Sequence, residues 1–152
     1  EMTSSLVGSE MCIRDSFRLK KSKQTRVRTR RKGEAFMKVQ NIVNILKAEI
    51  LAEGDLQEEV KTACGSDMMS DVLAFVKDQS VLLTGLVNPQ VVRTAEMMDM
   101  HCIIFVRGKR PDETVLSLAR QKDITILATP YRMFTACGLL YENGLEGGCD
   151  VS

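Results

Sequence analysis

The stretch from Cys102 to Pro130 constrains this chain most: CIIFV, RGKRP, DETVLSLARQKD, ITILATP. CIIFV is an unbroken run of β-branched and other apolar residues, as expected of a strand covered on both faces. The spacing then turns helical, with Val115, Leu116 and Ala119 on one stripe and Asp112, Glu113, Arg120 and Lys122 off it. Ile124 to Leu127 is a second buried strand. Two strands joined through a helix are almost always parallel, with a right-handed crossover. This stretch therefore predicts an α/β fold with a parallel sheet.

The rest of the chain extends the pattern. Val39, Ile42, Val43 and Leu46 have helical spacing, and Ala48 to Leu51 reads as a short strand. Glu53-Gly54-Asp55 is a turn by composition, and Glu59 to Ala63 reads as an edge-like strand. Met68, Met69, Val72, Leu73 and Val76 form a helical stripe with Ser66 or Asp67 as N-cap. Ser80 to Thr84 is a buried strand, and Pro89 stands where the first turn of a helix tolerates it. Val91, Val92, Ala95 and Met98 line that helix. Thr129-Pro130 repeats a cap-plus-proline signal. Phe134, Cys137, Gly138 and Tyr141 are expected on the inner face of a last helix ending at Asn143-Gly144, with Glu146 to Ser152 a flexible tail. The predicted architecture is a single α/β domain, a three-layer sandwich with a mostly parallel sheet.

Charge is uneven along the chain. Residues 1–36 hold ten Lys/Arg against four Asp/Glu, a balance of +6, and the remainder holds eleven against sixteen, a balance of −5. Residues 5–16, SLVGSEMCIRDS, resemble the translation of a sequencing adaptor. Arg31-Lys32-Gly33-Glu34 can be encoded by a purine-rich ribosome-binding sequence shortly before Met37. Residues 1–36 are accordingly expected to be a non-native, disordered leader before a domain spanning 37–145. No apolar run approaches the roughly 20 residues of a membrane span. The five cysteines include no C-x-x-C pair, which suits reduced thiols in a cytoplasmic protein.

The segments GSDMMSDVLAFV, SVLLTGLVNPQ, IIFVRGKRPDETVLSLA and ITILATPYRMFTACGLLYENGL resemble a stand-alone DRTGG domain, over Val39 to Leu145. Such domains also occur inside phosphotransacetylases and CBS-domain pyrophosphatases and are similar to the N-terminal domain of HPr kinase. The resemblance implies a non-catalytic, regulatory α/β module, often at a dimer interface. Larger members carry a Gly-Asp-Arg-type turn after the third strand. Here the turn is Thr84-Gly85-Leu86-Val87-Asn88-Pro89, without the Asp-Arg pair.

Little in the sequence points to catalysis. His101 is the one histidine, and its neighbour Cys102 points to the opposite face of a strand, so the two cannot share a metal. Cys64, Cys102 and Cys137 fall in apolar elements and read as small core residues, whereas Cys149 is expected on the tail as the reactive thiol. Met68, Met69, Met97, Met98 and Met100 read as core or self-association residues. Asp67 and Asp71, one helical turn apart, suit a helix N-terminus better than acid–base work. No P-loop, dinucleotide fingerprint or zinc spacing is present, and no cofactor or metal is expected. The scarcity of aromatics argues against a nucleic-acid platform.

One constellation remains. Ligands of open parallel sheets bind beyond the carboxyl ends of the strands, where helix N-termini favour anions. Three turns should meet there, supplying Thr84, Gly85 and Asn88; Arg107, Gly108, Lys109 and Arg110; and Thr129 and Tyr131. These are the expected ligand-binding residues. The expected function is a regulatory or ligand-sensing module for a nucleotide or phosphorylated metabolite, acting as a homodimer or with a partner protein and without nucleic acid or membrane. The alternatives are a small enzyme or accessory protein of phosphoryl or acetyl-phosphate metabolism, and a protein-interaction module with no small ligand.

Overall fold

A computed structural model describes residues 36–76 and 80–147. Residues 1–35, where the leader is expected, residues 77–79 and residues 148–152 with Cys149 lie outside the described residues. A six-stranded sheet carries the domain, in the order β2-β7-β6-β5-β4-β8. Its strands are β2 (Glu49–Ala52), β4 (Thr62–Gly65), β5 (Ser80–Thr84), β6 (Cys102–Phe105), β7 (Thr125–Ala128) and β8 (Glu146–Gly147). All neighbours are parallel except β2, which runs antiparallel to β7 with a register shift between Ile50 and Ala52. A small antiparallel pair, β1 (Met37–Lys38) and β3 (Glu59–Val60), stands apart from the main sheet.

Handedness distributes the helices. The chain steps from β4 through β5 and β6 to β7 in one direction across the sheet. Right-handed crossovers put all three connecting helices on one face. These are α2 (Met69–Phe75), α3 (Pro89–Met97) and α4 (Glu113–Gln121). The connection from β7 to β8 runs back across the sheet, so α5 (Met133–Glu142) lies on the other face, with α1 (Val39–Leu46).

Strand alternation feeds the two cores. Leu82, Ile103, Phe105 and Ile126 pack with α2, α3 and α4. Val81, Leu83, Cys102, Ile104 and Leu127 pack with α1 and α5. Every residue of β5, β6 and β7 is buried, as a two-sided sheet requires. The fold is the α/β sandwich that the periodicity predicts.

Several local expectations are corrected. The strand expected over Glu59 to Ala63 is two strands, because Lys61 separates β3, which pairs with β1, from β4, which enters the main sheet. The tail begins as β8, paired with Thr62 and Ala63 of β4. On α5 the buried residues are Ala136 and Leu140, while Phe134 is 90% and Tyr141 72% exposed. The segment MFTACGLLY is apolar nearly all round, so two stripes one residue apart both fit a helical template, and packing over α1 chose the other one. Met68 and Leu73 of the α2 stripe are also exposed, while Met69, Val72 and Val76 are buried.

Neither Ser66 nor Asp67 is the N-cap of α2. That position is Met68, whose N–H reaches Ser66 Oγ at 3.1 Å. Nor does Thr129 cap α5, whose N-cap is Arg132.

Candidate functional site

The carboxyl ends of β4, β5, β6 and β7 share one edge because these strands are parallel. The Thr84–Leu86 part of the β5–α3 turn there is hydrogen-bonded from within the chain. Thr84 Oγ1 donates to Asp67 Oδ1 at 3.0 Å and accepts from the Leu86 N–H at 3.1 Å. The Gly85 N–H donates to the same Asp67 oxygen at 2.6 Å. This backbone hydrogen bond, the Thr84 hydroxyl and the charges of Arg107 and Lys109 hold the Asp67 carboxyl below its ordinary value, against partial desolvation. The Gly85 carbonyl accepts from Lys109 Nζ at 2.6 Å.

The β6–α4 turn is sewn to the β7–α5 turn. Arg107 and Gly108 both have left-handed backbone, φ 62° and 64°. Their N–H groups donate to the carbonyls of Tyr131 and Thr129, each at 2.8 Å. A side chain in this region costs roughly 1–2 kcal/mol, and these two hydrogen bonds help hold Arg107 there. The Arg107 guanidinium packs against Gly85 so closely that a Cβ there would collide with it. Glycine at position 85 is what gives that side chain its space.

The other expected residues lie outside the lining of the cleft beside these turns. Arg110 pairs with Glu49 on β2. Thr129, fully buried, donates to the Leu46 carbonyl at 2.8 Å and accepts from the Tyr131 N–H at 3.3 Å. Tyr131 packs against the α1–α5 core. Asn88 is the N-cap of α3, yet its side chain makes no capping bond and its buried Oδ1 has no partner among the described residues.

Beside these turns lies a cleft of about 830 Å³, lined by Gly65 at the end of β4 with Ser66 and Asp67 after it, Val106 and Arg107 after β6, and Pro130, Arg132, Met133 and Phe134 at the entry to α5. Of the nine residues expected to bind a ligand, Arg107 alone lines it, while Thr84, Gly85 and Lys109 anchor the Asp67–Arg107 side of it. Arg132, Phe134, Ser66 and Asp67 also line it and lie outside the expected set. Arg132 directly follows Tyr131 of the expected turn, so its charge is a readable signal. The sequence places Phe134 inward, because no local pattern separates the two faces of α5.

The cleft sits where the chain changes face. The helix after β6 lies on one side of the sheet and the helix after β7 on the other, which is the switch point at which open α/β sheets bind ligands. The first-turn N–H groups of α5 have no helical partner, and its N-cap Arg132 makes no side-chain capping bond to them. Two guanidinium groups and one carboxylate line the cleft. Among the described residues, no cluster of His, Cys, Asp or Glu could hold a metal ion.

The domain is similar in fold to the CBS and DRTGG domains of the regulatory region of a Clostridium perfringens pyrophosphatase, solved with its activator diadenosine tetraphosphate. The two share 19% identity at a TM-score of 0.61, over 71% of this chain and 47% of the other. This chain thus matches about half the length of that region. No curated protein matches the sequence. A family model of the DRTGG domain matches residues 41–142, more than half of the chain, and the chain belongs to the DRTGG domain family.

Proposed function

We propose that this protein is a regulatory, ligand-sensing module without catalytic activity, and that it binds an anionic metabolite or nucleotide at the carboxyl edge of its sheet. The observation that carries this is the cleft at the switch point, where Arg107, Arg132 and the uncapped start of α5 face a common space. Helix N-termini and guanidinium groups both favour anions. Thr84, Gly85 and Lys109 brace this edge, while the Tyr131 and Thr129 carbonyls hold Arg107 and Gly108 in place. The nucleotide class is supported by the diadenosine tetraphosphate bound to the similar pyrophosphatase regulatory region.

Thermal unfolding across a panel of nucleotides and phosphorylated metabolites tests the reading. A ligand at one hundred times its dissociation constant stabilises the fold by about 2.7 kcal/mol. Replacing Arg107 and Arg132 together by Ala should abolish that shift and leave the unliganded melt nearly unchanged, since both side chains are exposed. If no member of the panel shifts the melt at millimolar concentration, the ligand-binding reading is wrong.

A second reading is a self-association module. Met68, Phe75, Met97 and Tyr141 are exposed large apolar side chains, as an interaction surface would supply. Light scattering that gives a monomer mass across a wide concentration range would exclude the homodimer.

A further inference from the structure

One wall of the cleft is not explained by charge. Phe134 stands in the first turn of α5, lines the cleft and is 90% exposed. Its own helix buries Ala136 and Leu140 instead, so the fold makes little use of the ring. The cleft, at about 830 Å³, lies toward the upper end of the roughly 300–1,000 Å³ common for ligand pockets. A lone phosphate or small acid would fill only a fraction of it.

Two cationic side chains line the same cleft as the ring. Arg132 immediately precedes α5, and Arg107 reaches the cleft from the β6–α4 turn. Asp67, the carboxylate of the lining, is already engaged by the Gly85 N–H and the Thr84 hydroxyl. We infer that Phe134 is a stacking platform, and that the cleft takes a phosphorylated ligand carrying a flat heteroaromatic base, the base on the Phe134 ring and the phosphates on Arg107, Arg132 and the start of α5. A phenyl ring stacks any base, because every base presents a π-face. Phe134 therefore supplies affinity for the class without choosing among bases. This inference rests on the anion-binding reading above and adds a requirement for the base.

Calorimetric titration of the full chain with adenosine triphosphate and with inorganic tripolyphosphate separates the two. Phe134→Ala should weaken adenosine triphosphate by about tenfold, the usual scale of one lost stack, and leave tripolyphosphate binding unchanged. Phe134→Tyr should restore the wild-type affinity, and the adenine protons should move upfield in the wild-type complex. Phe134 is exposed, so both variants should fold. If both ligands bind and Phe134→Ala changes neither affinity, or weakens both equally, stacking is overturned while the anion site stands. If neither ligand binds, the anion site falls and stacking falls with it.

Discussion

The Gly85 N–H donates to the Asp67 carboxylate at 2.6 Å, and the Thr84 hydroxyl donates to the same oxygen at 3.0 Å. One side chain from the end of β4 thus ties down the turn that follows β5. Asp67→Ala should lower stability by about 1 kcal/mol, below the roughly 1.5–3 kcal/mol of a hydrogen bond to a charged group because Asp67 is exposed. The effect should depend on pH. The folded carboxyl is held below its ordinary 3.8, so the folded state favours ionisation. The contribution is complete above the unfolded value and disappears as pH falls through the folded one. Urea unfolding at pH 7 and pH 3 checks this: the gap between wild type and variant should narrow at the lower pH.

Thr129→Val keeps the shape of a buried residue and removes its hydroxyl. The Leu46 carbonyl at the end of α1 then loses its 2.8 Å donor. An unsatisfied buried acceptor costs about 1–3 kcal/mol. Thermal unfolding should show a loss of that size without a change in circular dichroism.

Two glycine substitutions should diverge. At Gly85 a Cβ meets the end of the Arg107 side chain, which can swing aside, so Gly85→Ala should cost little stability. At Gly54 a Cβ would lie 2.7 Å from Thr125 Oγ1, 3.1 Å from the Asp123 carbonyl and 3.2 Å from the Thr125 nitrogen. Backbone cannot rotate away, and Gly54 N–H also donates to Thr125 Oγ1. Gly54→Ala should lower stability by about 1–3 kcal/mol, as overpacking does. Equal unfolding midpoints for the two variants would contradict this.

Glu58 is pushed above its ordinary 4.5, first by burial and then by Asp55, Asp99 and Asp123, with His101 opposing. The raised folded value means that ionisation costs stability. Wild type should lose stability as pH rises through that value. Glu58→Gln should remove this dependence and be more stable at pH 7 by up to about 0.5 kcal/mol, since the side chain is partly exposed. A less stable variant at pH 7 would show that the His101 contact, at 3.5 Å, outweighs the burial.

The sheet was legible in the sequence because β5, β6 and β7 are buried on both faces, and such strands must be apolar throughout. Pro89 and the stripes of α3 and α4 were legible for a similar reason, since one face of each helix meets the sheet and the other meets water. That Arg107 would stand at the carboxyl edge was also legible, because parallel strands bring their carboxyl ends to one edge whatever their order.

What only the tertiary structure decided depends on contacts between distant segments. Thr84, Gly85 and Thr129 have the composition of a ligand-binding turn. Their hydrogen-bonding groups are instead taken by Asp67, Lys109 and Leu46, residues 17 to 83 positions away. Local spacing holds no record of such partners. The faces of α5 were undecided for a different reason: an apolar helix offers several stripes, and the strand order that sends α5 back across the sheet determines which one is buried. The same packing leaves Phe134 facing outward beside Arg132, at the edge where the sheet changes face.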